Sequence, residues 1–220
     1  MTCPVRSRHS VARHRQAAAF AAALNNHYFI LQSAASGTIT ESAARASLYL
    51  VSLSISLVAM AFVAQAHSVL DTFLAVVLPA LFVLGLFSVV RLVDTGVQNL
   101  AYLQSMAMVR RYYAELTPEA RRFFGDGPNN PLAQLSRQAR QGAFGALFTI
   151  GSMIAMINSV VGGTGAALLV SHLLGGFGRA PALALGSGLA VGLGLFAAFL
   201  VYQHRRYRVL VIAFAEEKPV

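Results

Sequence analysis

SLYLVSLSISLVAMAFVAQ, residues 47–65, holds nineteen residues without a charge. After a six-residue break, TFLAVVLPALFVLGLFSVV, residues 72–90, gives nineteen more. At ~1.5 Å per residue each run makes a helix of about 28 Å, close to the ~30 Å hydrocarbon core of a bilayer. Helices buried in soluble proteins seldom stay uncharged for so long. The pair reads as a transmembrane helical hairpin over residues 47–90, and it sets the fold class as an all-α integral membrane protein.

Composition agrees. Of 220 residues, 56% are hydrophobic and 11% are charged, against about 25% charged in a soluble domain. The net charge of +9 is almost all arginine, since Lys218 is the only lysine. In a soluble chain that excess would point to nucleic acid; in a membrane chain it points to anionic headgroups, and no nucleic-acid partner is expected. The single cysteine, Cys3, excludes an intramolecular disulfide and a multi-cysteine metal site. Tryptophan is absent, so an aromatic belt would rest on residues such as Tyr49, Tyr202 and Tyr207.

Working outward, residues 1–46 form an N-terminal region with arginines ahead of an alanine-rich patch. The apolar patch, residues 17–24, is short and weak for a signal-peptide core. An amphipathic helix over residues 10–36 fits better, with Phe20, Leu24, Tyr28 and Leu31 on one face. Gly37 suits a helix end, and Thr38 to Glu41 fits a capping box opening the next helix. In the second span Pro79 predicts a kink.

Residues 91–141 read as a cytoplasmic helical insert. A stripe through Val93, Val97, Leu100 and Ala107 continues the second span to Leu116. Thr117 then caps a short helix with Pro118 in its first turn. The run Gly127-Pro128-Asn129-Asn130-Pro131 closes it, making the insert a helical hairpin. Arg110, Arg111, Arg121 and Arg122 on this insert are candidates for contact with lipid or a partner.

A second transmembrane hairpin fits residues 142–203, ahead of a basic cytoplasmic tail at 204–220. Its first span covers residues 142–161 and is broken by Gly162 to Gly165, with a short re-entrant helix following. The second runs from Pro181 to Gln203 and ends at the charged run His204 to Arg208. Gly151, Ala155, Ser159 and Gly163 recur every fourth residue, as do Ala184, Gly188 and Gly192. Small residues at that spacing let helix backbones approach, within a protomer or between protomers. Ala190, about 200° round the helix from Gly188, falls outside the ridge. Asn158, alone in its span, is expected to bond across to another helix.

Sixteen of the seventeen basic residues flank the same ends of the four spans; only Arg179 lies opposite. The positive-inside rule then makes both termini and the insert cytoplasmic, in a plasma or bacterial inner membrane. Leu-Gly-Leu-Phe recurs at 84–87 and 193–196, and Arg-Arg-Tyr at 110–112 and 205–207, a weak hint of parallel duplication.

The chain shows no phosphate-binding loop, zinc-ligand pair or nucleophile elbow, so no catalytic residue, cofactor or metal is expected. His67 and Asp71, with His172 from the other outer loop, are the candidates for an ion or proton site. Arg91 and Asp94, three apart, predict a local ion pair. Three readings follow. The first is a non-enzymatic membrane protein that assembles with its own copies and perturbs or conducts across the bilayer in response to a cytoplasmic signal. The second is an adaptor docking a cytoplasmic protein on residues 91–141. The third is a small transporter, disfavoured because no charge sits at mid-membrane.

Overall fold

The computed structural model describes residues 5–65, 67–124, 150–176 and 180–216, with side chains for 11–65, 69–124, 150–176 and 180–207. The described residues are all helical, without a strand: α1 (Val5–Val63), α2 (His67–Leu116), α3 (Pro118–Phe124), α4 (Ile150–Leu173) and α5 (Pro181–Glu216). Four of these, all but α3, are long and apolar enough to cross a membrane. The breaker run at 127–131 and the start of the expected third span lie outside the described residues.

The chain divides into two compact units, one of Met1–Thr38 with Gln98–Arg140 and one of Ile39–Val97 with Gln141–Val220. The core of the first is built from Leu31, Ala35 and Met106, with Tyr28, Tyr102 and Leu103 packed against them. Phe20, Tyr112, Tyr113 and Phe124 form a chain of ring contacts with centroids 5.4–5.9 Å apart. Tyr113 adds a bond from its hydroxyl to the Ala21 carbonyl. The core of the second gathers Ala46, Tyr49, Val89, Leu92, Val93, Ile154, Ala155 and Phe199 from four helices. Its Tyr49 and Ile154 are fully buried. Tyr49 therefore serves the core and not an interfacial belt.

Local chemistry sets several helix ends. Thr117 accepts the Ala120 N–H at 3.0 Å, the N-cap that opens α3. Pro181 opens α5 at a position where its missing N–H has no intrahelical partner to lose. Helix α4 ends in a Schellman motif: Gly176 N–H bonds Ser171 O, Gly175 N–H bonds His172 O, and Gly175 takes a φ of 82°.

Three expected breaks are absent. Helix α1 passes straight through Gly37, and Thr38 is no cap, its hydroxyl turning back to the Ala35 carbonyl at 2.7 Å. A mid-helix glycine costs about 1 kcal/mol, which is small beside the packing of Ala35 and Thr38 before it and of Ala46 and Tyr49 after it. Helix α4 likewise runs through Gly162 to Gly165, so the expected re-entrant helix is simply its last turns. At the other end α5 does not stop at the charged run from His204, but continues to Glu216. Pro79 lies inside α2, which continues on both sides of it.

Candidate functional site

Helices α4 and α5 meet along backbone. A Cβ built on Gly163 would lie 2.6 Å from the Gly188 carbonyl oxygen, and one on Gly188 would lie 2.7 Å from the Gly163 oxygen. A Cβ on Gly192 would come within 3.2 Å of Ser159 O. Only glycine at 163 and 188 permits that approach. On α4, Ala155, Ser159 and Gly163 are buried and Gly151 is half-buried; on α5, Ala184 and Gly188 are buried and Gly192 is half-buried. The small-residue row on α4 extends beyond the expected stop, through buried Ala167 and Ser171. The unbroken four-residue spacing was the signal for them.

A polar node ties α4 to α1 and α2. The hydrogen-bond network assigns the Asn158 amide the orientation in which its nitrogen donates to Phe82 O at 3.2 Å and to the Tyr49 hydroxyl at 3.3 Å. Its oxygen accepts from Leu86 N–H at 3.3 Å. This orientation satisfies both ends of the amide. It is possible because residue 85 is glycine: a Cβ there would collide with the Asn158 side chain and with the Tyr49 ring. Asn158 thus sits on a backbone bond of α2, the kind of interhelical contact worth about 0.6–1.7 kcal/mol in a membrane.

The serines on the apolar stretches turn inward to their own helices. Ser52, Ser54, Ser56, Ser88 and Ser159 each donate to the carbonyl four residues earlier, at 2.7–2.8 Å. Those hydroxyls are spent on their own backbone.

At residues 41–45, 91–96 and 206–207 charged and polar side chains from three helices meet. Arg45 donates through Nε and Nη2 to Glu41 Oε1 at 3.0 and 2.9 Å, and Arg91 Nε lies 3.7 Å from the same oxygen. Asp94 is bound by Arg206 at 2.6 Å. The local Arg91–Asp94 pair expected from their spacing is therefore replaced by two interhelical pairs. Between them Ser42 and Thr95 share a hydrogen bond at 2.9 Å. Tyr207 lays its hydroxyl against Gly96, where a side chain would collide with it.

Asp71 and His172 are exposed, and the His67 side chain lies outside those described. Among the described residues no group of three or more His, Cys, Asp or Glu is placed to hold a metal ion. Arg111 pairs locally with Glu115 at 3.3 Å, Arg110 is half-buried, and Arg121 and Arg122 are exposed on α3. Pro79 is exposed on α2.

Comparison with protein-family models, curated proteins and solved structures finds no match to this chain.

Proposed function

We propose that this chain is a non-enzymatic integral membrane protein that self-assembles, with both termini and residues 91–141 cytoplasmic, and that the assembled copies perturb or conduct across the bilayer when that cytoplasmic part is engaged. The observation that carries self-assembly is on α5. Ala182, Gly186, Ala190, Gly194 and Ala198 recur every fourth residue, and all five are exposed. A Cβ on Gly186 or Gly194 would meet nothing within 4 Å. Leu185, Leu189 and Leu193 stand exposed beside this stripe. Small residues flanked by large ones are the surface on which membrane helices pack against each other, and among the described residues Gly186 and Gly194 on this one have no neighbour against them. We assign conduction to the assembly and not to one protomer, since the four long helices share a core containing fully buried Tyr49 and Ile154.

The test is cross-linking of the full-length protein in liposomes, with solute flux measured on the same samples. Ala190→Leu fills the stripe and is expected to reduce the cross-linked species about tenfold, and the flux with it. Loss of neither would overturn self-assembly through α5. Cross-linking without any flux above protein-free liposomes would remove conduction and leave the adaptor reading. That second reading draws support from exposed Met108, Leu116 and Phe123 on α2 and α3, apolar side chains outside the uncharged runs.

A further inference from the structure

Glu41 is surrounded by more positive charge than it carries. One oxygen of its carboxylate serves Arg45 twice and lies near Arg91 as well. Asp94, the next acidic group along α2, is matched one-to-one by Arg206. Three guanidiniums against two carboxylates leave one positive charge over, and it is not buried. The Arg45 side chain is 40% exposed and that of Arg91 is 50% exposed. Each guanidinium carries five N–H donors in a planar fork, so most of the donors of this pair remain available.

The surroundings select the anion. Arg45 lies two residues before the uncharged run 47–65, and Arg91 directly follows the run 72–90. One helical turn from each arginine, on the same face and within the uncharged run, stands a large apolar side chain open to the surroundings. These are Leu48, three residues on from Arg45 and 69% exposed, and Phe87, four residues before Arg91 and 72% exposed. Two neighbouring helices thus offer cationic forks at one level and bare apolar surface at the next. A free anion would use only the first of these features; a phospholipid uses both.

We infer that Arg45 and Arg91 form a binding site for one anionic phospholipid, its phosphate held between the two guanidiniums and its acyl chain lying on Leu48 and Phe87. The site rests on the reading of the chain as bilayer-spanning. Glu41 holds the two arginines in position and leaves the pair a net charge of +1, which a headgroup of net charge −1 matches and a zwitterionic one does not.

The experiment is native mass spectrometry of the full-length protein taken from mixed phosphatidylcholine and phosphatidylglycerol bilayers, counting the lipids retained. Arg91→Gln and Arg45→Gln are each expected to lower retained phosphatidylglycerol about fivefold, the factor one basic residue contributes near an anionic surface. Arg205→Gln removes an exposed charge from the neighbouring stretch of α5 and is expected to leave retention unchanged. Glu41→Gln, which frees both guanidiniums, is expected to raise it. Circular dichroism of each variant shows whether the helices persist. Equal losses in Arg91→Gln and Arg205→Gln would reduce the effect to general basic attraction and overturn the site. So would displacement of phosphatidylglycerol by inorganic phosphate at millimolar level, which would make it a site for a free anion. Flotation with pure phosphatidylcholine liposomes separates the two failures. A protein that floats there but shows no phosphatidylglycerol preference lacks this site, whereas one that does not float at all is not bilayer-spanning.

Discussion

Helix α5 carries small residues on two faces, and the two faces differ chiefly in what lies against them. Gly188 and Gly192 meet α4, backbone to backbone, through Gly163 and Ser159, and Ala184 is buried on the same face. Ala182, Gly186, Ala190, Gly194 and Ala198 have the same four-residue period and are likewise only glycine and alanine, but they are open. Spacing alone therefore does not say whether a ridge holds a protomer together or joins protomers. Ala190, which on the sequence lies outside the ridge, is the middle of the second stripe. A leucine there is expected to spare the protomer, and a leucine at 188 is expected to break it.

Gly188→Leu should give the largest effect. Even the first carbon of the new side chain would lie 2.7 Å from Gly163 O and 2.8 Å from the Ala167 Cβ. Both are parts of a rigid helix, so α4 and α5 must separate. Overpacking of this sort costs about 1–3 kcal/mol where a core can adjust; against backbone the upper end or beyond is expected. The variant should lose its cooperative thermal transition in detergent. If Gly188→Leu and Ala190→Leu melt alike, the distinction between the two faces fails.

Asn158→Ala comes next. It removes the amide that reaches Phe82 O, Leu86 N–H and the Tyr49 hydroxyl, and it leaves that hydroxyl in a fully buried position. The α2 carbonyl and N–H still have each other within the helix, so the loss is limited to about 1–2 kcal/mol. A lowered melting temperature with cross-linking retained would place Asn158 with the inner ridge. Loss of cross-linking at an unchanged melting temperature would place it with the outer stripe instead.

What the sequence made legible, and what it hid, follows the range of the interactions. The uncharged runs declared four long apolar helices because desolvation acts on every residue of a span. Thr117 and Pro181 declared helix starts because a cap is a contact over three or four residues. Gly37 and Gly162 to Gly165 misled because glycine reads locally as a breaker, whereas here the surrounding packing outweighs a propensity term of about 1 kcal/mol per residue. The glycine that does end α4, Gly175, differs in having a positive φ, which composition does not reveal. Asn158 announced a partner but not which one, since Tyr49 lies 109 residues away in the chain. Arg91 and Asp94 suggested each other by spacing, yet acidic and basic groups from α1 and α5 were nearer. For the candidate site, small residues were readable as surfaces and their partners were not.

The finest division between the two faces comes from adding a single methyl group to each. Gly192 and Gly194 are two residues apart on one helix, so intrinsic propensity acts on them equally, favouring alanine by about 0.8–1 kcal/mol. Their surroundings differ. A Cβ at 192 would lie 3.2 Å from Ser159 O and 3.8 Å from the Gly163 Cα, whereas a Cβ at 194 would meet nothing within 4 Å. The Ser159 carbonyl belongs to α4 and yields only if that helix shifts by a few tenths of an ångström along a row already closed by Gly163 and Gly188. Gly192→Ala should therefore lose its propensity gain to that displacement and melt at or below the parent temperature. Gly194→Ala should keep the gain and melt slightly above it. Its assembly should persist as well, because alanine already occupies 182, 190 and 198 on the same stripe. The sign of the difference is the readout: a Gly194→Ala protein that melts below Gly192→Ala would mean that the outer stripe is occupied within the protomer, and the stripe would then no longer be available to a second copy.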